Sequence, residues 1–250
     1  MRIISVINQK GGVGKSTTVL SLGVGISLKG LKVLFIDLDA QGNLSHTIGV
    51  DNSSGFSSMD VLEGKVSVKE AIQRVGQSDI IANSPALAAA DTVITSTGKE
   101  YRLKEALEPL KGEYDYVLID TPPALGILTI NALTACTGCI IPAQADIYSL
   151  QGISQLYNTI QAVQKYCNPF LRVMGILLTR YNNRVIISRE VAEMMEQTAG
   201  RLNARLYKAR IRETTAVRES QAVRKDIFAY SHKCNAAQDY AAFVSEVLED

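Results

Sequence analysis

The sequence predicts an α/β fold, a mostly parallel central sheet with helices on both faces. Three observations carry this. Short apolar runs alternate with longer helical patterns along the chain, as repeated strand–helix–strand units do. Two of those runs, Lys32–Asp37 and Tyr114–Asp120, are nearly continuous apolar stretches that end in an acid, which suits strands covered on both faces. A glycine-rich segment, Lys10–Thr17, separates the first apolar run from the first helical pattern. Open parallel sheets bind their ligands at that end of the strands.

The elements follow in order. Ile3–Ile7 is the first strand, and a helix runs from Lys15 to about Leu28, where Gly30 supplies a C-terminal cap. Lys32–Asp37 is the second strand. Residues 41–75 hold no sustained period; Gly/Ser-rich turns fall around Gly49–Ser58 and a short helix near Val68–Val75. Ser78–Ala82 reads as a short strand, Glu100–Leu110 as a helix and Tyr114–Asp120 as a strand. Helix 127–136, strand Cys139–Pro142, long helix Gln151–Tyr166 and buried strand Val173–Leu178 come next. A helix at Arg189–Ala199, a strand near Leu206–Ile211 and a helix at Ala236–Leu248 complete the pattern.

With 250 residues and no Pro-, Gly- or Ser-rich linker, the chain is expected to form one domain over 1–250. It is 46% hydrophobic but only 6% aromatic, without Trp, which suits an aliphatic core. A first strand at residue 3 leaves no room for a signal peptide, and no apolar run reaches the length of a membrane span. Four cysteines without a regular framework point to reduced thiols and a cytoplasmic protein. The net charge of +1 hides an asymmetry: residues 172–225 carry 12 basic and 5 acidic side chains, against 13 and 15 in residues 1–171. The block at about 180–225 is therefore a candidate nucleic-acid surface.

Lys10-Gly11-Gly12-Val13-Gly14-Lys15-Ser16-Thr17 has the context that a phosphate-binding loop needs. Its glycines let backbone N–H groups converge, and the helix N-terminus adds partial positive charge. Lys15 supplies a full charge for β/γ-phosphates, and the Ser16 hydroxyl is placed to ligate Mg²⁺. The ordinary G-x-x-x-x-G-K-[ST] pattern would put a glycine where Gln9 stands; this chain has instead a second lysine, Lys10, and the pair Gly11-Gly12. That loop resembles the deviant Walker A motif, K-G-G-x-G-K-[ST], of the ParA/MinD/nitrogenase-iron-protein superfamily of P-loop NTPases.

The resemblance extends over residues 1 to about 248 and is strongest to DNA-segregation ATPases of the ParA/Soj type. Asp37-Leu38-Asp39-Ala40-Gln41-Gly42-Asn43 is similar to the Walker A′ motif D-x-D-P-Q-G-N, with Ala40 in place of proline. Val117–Asp120 followed by Thr121-Pro122-Pro123 looks like Walker B and its D-x-P-P continuation, with Gly126 as a flexible point of the switch. Ile141–Asp146, Leu150–Leu156 and Ile211–Ala222 continue the family pattern, with Arg212 where the family often has proline. By this resemblance Gly11, Gly12, Val13, Gly14, Lys15, Ser16 and Thr17 cradle the phosphates of ATP. Lys10 reaches the nucleotide of a second subunit, Asp39 positions the attacking water, and Ser16, Asp37 and Asp120 hold Mg²⁺. Arg180 and Asn182 would line the base pocket. ATP is favoured over GTP because no N-K-x-D base motif is present.

The resemblance further implies a homodimer closed by ATP, binding to DNA of any sequence, and a ParB-like centromere-binding partner that stimulates hydrolysis. Arg189, Arg218, Arg224 and Lys225 are the leading DNA contacts, on or beside helices expected to face away from the nucleotide. With no N-terminal extension, operator binding of the long-form proteins is not expected; the protein would be cytoplasmic and nucleoid-associated.

Two other branches are open. A MinD-like membrane-positioning ATPase needs a basic amphipathic tail, whereas the C-terminal segment is amphipathic but acidic, its apolar stripe at Ala237, Tyr240, Ala241, Val244 and Leu248 suiting a packed helix. An Fe–S reductase component would rest on Cys136 and Cys139 alone, which read better as small core residues.

Overall fold

The computed structural model describes residues 1–50 and 55–249. Eight strands form one sheet in the order β3-β4-β2-β5-β1-β6-β7-β8. Its centre is built from β1 (Arg2–Val6), β5 (Tyr116–Asp120) and β2 (Val33–Asp37), with β4 (Ser78–Ile81) and β3 (Ile72–Val75) on one side. On the other side lie β6 (Gly138–Gln144), β7 (Arg172–Tyr181) and β8 (Arg205–Arg212). Every pairing is parallel except β3 with β4. The chain leaves β1 through α1 (Lys15–Ser27) and enters β2, skipping the place that β5 later fills; the return leads to β6 on the opposite flank. The glycine loop therefore sits where the strand order reverses, the crevice that open α/β sheets use for ligands.

Both faces are covered because the central strands are apolar on both sides. Val33 and Phe35 of β2 point toward α1, α2 (Asn43–Ile48) and α12 (Asn235–Leu248), packed with Leu22, Ile26, Tyr240 and Phe243. Leu34 and Ile36 of the same strand point the other way, against α3 (Ser58–Glu63), α6 (Arg102–Leu107) and α7 (Ile127–Ala135). The far half of that second face is closed by α8 (Ile147–Tyr166) and α9 (Ile186–Arg201) over Ile141, Ile176 and Leu178.

Several boundaries differ from expectation for local reasons. The helix expected over 68–75 ends at Ala71 as α4 (Val68–Ala71), and Ile72–Val75 turns back through Gly76 (φ 60°) to pair with Ser78–Ile81. A two-residue turn with a positive φ is what a tight hairpin requires. The 100–110 helix is broken into short turns around α6, with Pro109 opening the last one. Helix α8 begins at Ile147, earlier than periodicity suggests, because Asp146 caps it by accepting the Ser149 N–H at 2.9 Å. The short helices α2, α3, α5 (Ala90–Val93), α10 (Thr215–Ala222) and α11 (Ile227–Ser231) were not expected. Of the turns expected at Gly49–Ser58, residues 51–54 lie outside the described residues.

The C-terminal helix packs as expected, but on a stripe shifted from the expected one. Ala241 is exposed, and Tyr240, Phe243, Val244 and Val247 are buried against β8 and α1. No helix among the described residues is long and apolar enough to cross a membrane.

Candidate functional site

At the carboxyl end of β1 the loop turns through two left-handed glycines, Gly12 (φ 73°) and Gly14 (φ 87°), and the Thr18 N–H returns to the Gly14 carbonyl at 2.9 Å to open α1. A side chain at either position would be strained. Gly11 and Gly12 form an exposed rim, while Val13 and Lys15 are buried behind it. Thr179 at the end of β7 clamps the loop from the side, its hydroxyl donating to the Val13 carbonyl at 2.8 Å. Lys15 is 7% exposed; burial lowers its pKa, and the charges of Asp120 and Asp39 oppose that shift. Its ammonium donates to the Lys10 carbonyl at 3.4 Å.

The three acids expected beside the loop are brought together, each in a different state of satisfaction. Asp37 accepts from the Ser45 hydroxyl at 2.7 Å, the Ser45 N–H at 2.9 Å and the Asp39 N–H at 3.0 Å. Even so, burial pushes its carboxyl up to about 6. Asp39 closes the turn after β2 by accepting from the Gln41 N–H at 3.0 Å, and is 8% exposed. Asp120 is wholly buried, and neither carboxylate oxygen has a hydrogen-bond partner. Burial, then the nearby Asp37, raises its pKa well above the carboxylate range.

An orphaned buried carboxylate costs free energy unless a cation meets it. The donor set of Asp120, the Ser16 hydroxyl beside it and the bonded Asp37 is hard oxygen, which fits Mg²⁺. Asp37 has its oxygens already engaged, so Asp120 is the better candidate for the cation itself and Asp37 for its surroundings.

Lys10 is held within its own chain. Its ammonium lies 2.7 Å from Asp146 Oδ2, 3.4 Å from Ser149 Oγ and 3.5 Å from Gln144 Oε1, and its N–H donates to Asn8 Oδ1 at 2.9 Å. Gln144 and Asp146 belong to the stretch that matched the family pattern without a role; holding Lys10 is what they do here. Gly126 also gains a different reason. A Cβ there would come within 2.4 Å of the Asp91 carboxylate, which accepts the Ile127 N–H at 2.8 Å at the start of α7, so the glycine admits a close contact.

The residues expected farther out divide in two. Arg180 (φ 49°) ends β7 with its guanidinium on Glu213 at 2.6 Å, and Asn182 Oδ1 accepts from the Arg184 N–H at 3.0 Å, so both are engaged at the site's edge. Within the basic block, Arg210 stacks on Tyr181 and donates to its hydroxyl at 2.7 Å, while Arg212 forms a forked bridge to Asp239. These two arginines and Lys208 point outward from the edge strand β8, where charge also discourages a further strand. The side chains of Arg189, Arg218, Arg224 and Lys225 are exposed and carry no ion pair among the described residues. Helix α10 does not face away from the nucleotide loop: Gln221 Nε2 donates to Thr17 Oγ1 at 3.0 Å.

Cys136 and Cys139 are buried in the core under α8, where Cys136 accepts from the Ser5 hydroxyl at 3.2 Å and burial pushes its thiol up to about 11. Among the described residues, no third His, Cys, Asp or Glu side chain is placed to hold a metal ion with Cys136 and Cys139. A cavity of about 930 Å³ opens at the opposite end of the sheet, lined by Arg2, Gly138 and Arg172, and holds none of the candidate site residues.

The family described as an AAA domain matches residues 1–173. The chain is similar to the sporulation initiation inhibitor protein Soj of Bacillus subtilis, 37% identical over 98% of each chain. It is 35% identical to the chromosome partitioning protein ParA of Caulobacter vibrioides, over 99% of this chain and 94% of that one. Among solved structures it resembles cobyrinic acid a,c-diamide synthase of Mycobacterium smegmatis with bound ADP and magnesium, at 34% identity and TM-score 0.86, covering 100% of this chain and 94% of that one. It also resembles the septum site-determining protein MinD of Pyrococcus horikoshii complexed with Mg-ADP, at 26% identity and TM-score 0.78, covering 98% and 95%.

Proposed function

Because the chain belongs to the ParA/Soj-type P-loop ATPases, we propose that it hydrolyses ATP and uses the ATP-bound state to join two copies and hold DNA. The observation that carries this reading is the convergence of Lys15, Asp37, Asp39 and Asp120 under one glycine loop whose rim bears a second lysine, Lys10. Lys15 and the N–H groups of residues 11–17 receive the phosphates. Asp120, with Ser16 and the Asp37 shell, holds the Mg²⁺, which when bound neutralises phosphate charge. Asp39 orients water for attack; displacement at phosphorus needs placement and charge more than covalent help, so one carboxylate suffices.

Lys10 supplies the dimer dependence by leaving Asp146 for the nucleotide of the second subunit. Arg189, Arg218, Arg224 and Lys225 then meet DNA phosphates without reading sequence. A ParB-like centromere-binding protein would stimulate hydrolysis and release. The protein would act in the cytoplasm at the nucleoid, as a single P-loop domain, with Arg180 and Asn182 at the base. A MinD-like membrane role is disfavoured by α12, whose apolar stripe is spent on β8 and α1.

The test is to load the protein with Mg·ATP or Mg·ADP and follow sizing, retardation of random-sequence DNA and phosphate release together. ATP alone should give a dimer that retards DNA and turns over slowly, and Lys15→Ala should lose all three. An ATP-loaded protein that ignores DNA at low salt yet sediments with anionic liposomes would overturn the reading in favour of the membrane role.

A further inference from the structure

Gln221 ties the phosphate loop to the segment that carries the free cations. Its side-chain amide donates to Thr17 Oγ1, and its backbone carbonyl accepts the Arg224 N–H at 3.1 Å. The Lys225 N–H donates to the Ser220 carbonyl at 2.9 Å, so the two bonds together close the end of α10. Arg224 passes that closure in a left-handed conformation, φ 52°. A left-handed residue other than glycine persists only where surrounding bonds hold it. The turn presenting Arg224 and Lys225 is thus closed on the backbone carbonyls of Ser220 and Gln221, and the Gln221 side chain anchors that stretch of backbone to the nucleotide loop.

The direction of the coupling follows from the hydroxyl. Thr17 Oγ1 has one proton and two lone pairs. Gln221 uses a lone pair, and among the described residues the proton is given to no acceptor. A phosphate oxygen in the loop offers that acceptor, and a hydroxyl that donates becomes a better acceptor in turn. We propose that Gln221 is a positioning residue through which nucleotide occupancy, sensed at Thr17, orders the end of α10 and the cations it presents. This rests on the DNA-binding reading for its purpose, though not for its mechanism.

Hydrogen exchange on the full chain, with and without Mg·ADP or Mg·ATP, tests it. In the unaltered protein, nucleotide should slow exchange about fivefold or more both in the loop, residues 11–18, and in residues 216–226. Gln221→Met keeps the length and apolar stem but cannot donate; it should retain protection of the loop and lose the change at 216–226, and Gln221→Ala should do the same. Protection of both segments in the variants, or of the loop alone in the unaltered protein, would overturn the proposal. A DNA arm separates the two readings. The ratio of DNA affinities with and without nucleotide should fall about fivefold or more in Gln221→Met. The salt dependence should stay as it was, since no cation is removed. Should the unaltered protein bind no DNA in any state, the DNA reading fails while the exchange arm still decides the relay.

Discussion

Asp37 and Asp120 are register partners at the carboxyl ends of adjacent parallel strands, and both are fully buried. Side chains at matched positions of neighbouring strands share a face about 5 Å apart. Two carboxylates so placed resist ionising together. Three hydrogen bonds relieve Asp37, whose carboxyl still lies at about 6. Asp120 has the Ser16 hydroxyl beside it and Lys15 nearby, yet burial and the charge of Asp37 raise it well above the carboxylate range. The pair is therefore a local electrostatic burden that a divalent cation would discharge.

A stability profile without cation or nucleotide should show this burden. A carboxyl raised in the folded state binds its proton more tightly there than in the unfolded chain. For Asp37 the contribution to stability is complete below about pH 4 and is lost as pH rises through about 6, and Asp120, raised by its burial, acts in the same direction. Asp120→Asn in chelator should therefore raise stability at pH 8 by about 1–2 kcal/mol. For a chain of this size that is roughly 2–8 °C in Tm. The gain should shrink toward pH 4, and Mg²⁺ should no longer raise Tm. An unchanged Tm at pH 8 would remove the burden.

Lys10 and Asp146 compete with any second subunit for the same charge. The pair is about one-third exposed on each side, at 2.7 Å, so its worth is within the ~0–1 kcal/mol of a surface ion pair. Asp146→Asn keeps the cap on α8, since asparagine accepts the Ser149 N–H equally well, but drops the charge. ATP-dependent association should then tighten by up to about fivefold in sedimentation equilibrium. Weaker association would mean that Asp146 serves the dimer and does not restrain Lys10.

How far the sequence carries depends on distance along the chain. The glycine loop and the acids after β2 and β5 are readable because each is a short contiguous run whose strand is apolar on both faces. What escapes is long-range. Ser45 on Asp37 belongs to a short helix without periodicity. Gln221 meets Thr17 across 204 residues, and the basic block divides into paired and free cations only through partners such as Glu213 and Asp239. The shift of the α12 stripe from Ala241 to Phe243 and Val247 likewise reflects which side β8 presents.

Thiol reactivity checks the core assignment of the C-x-x-C pair. Cys136 and Cys139 are buried with their thiols pushed up, Cys136 to about 11, whereas Cys167 and Cys234 are partly exposed. The thiolate is the reacting form, so burial and a raised pKa act in the same direction. At pH 7.5 a disulfide reagent should modify Cys167 and Cys234 first, with Cys136 and Cys139 slower by about tenfold or more until denaturant is added. Mass mapping of the modified peptides reads this directly. Equal rates at all four would place the pair in a region that opens readily.

Salt dependence can sort the cations of the basic block one by one. Each phosphate neutralised contributes a slope of about −0.9 to log K against log salt. Arg218 is exposed with no ion pair among the described residues, so Arg218→Ala should weaken binding of random DNA and make the slope shallower by about one unit. Arg212 carries the same charge but forks onto Asp239, at 2.7 Å and 2.9 Å, and its own N–H donates to that carboxylate. Arg212→Ala should therefore leave the slope unchanged and instead cost stability, about 1 kcal/mol for a charge-assisted pair at the surface. The comparison uses two arginines six residues apart that differ mainly in whether a partner already holds them. Should Arg212→Ala flatten the slope as much as Arg218→Ala, the bridge to Asp239 would be one that DNA displaces, and the interface would extend onto β8.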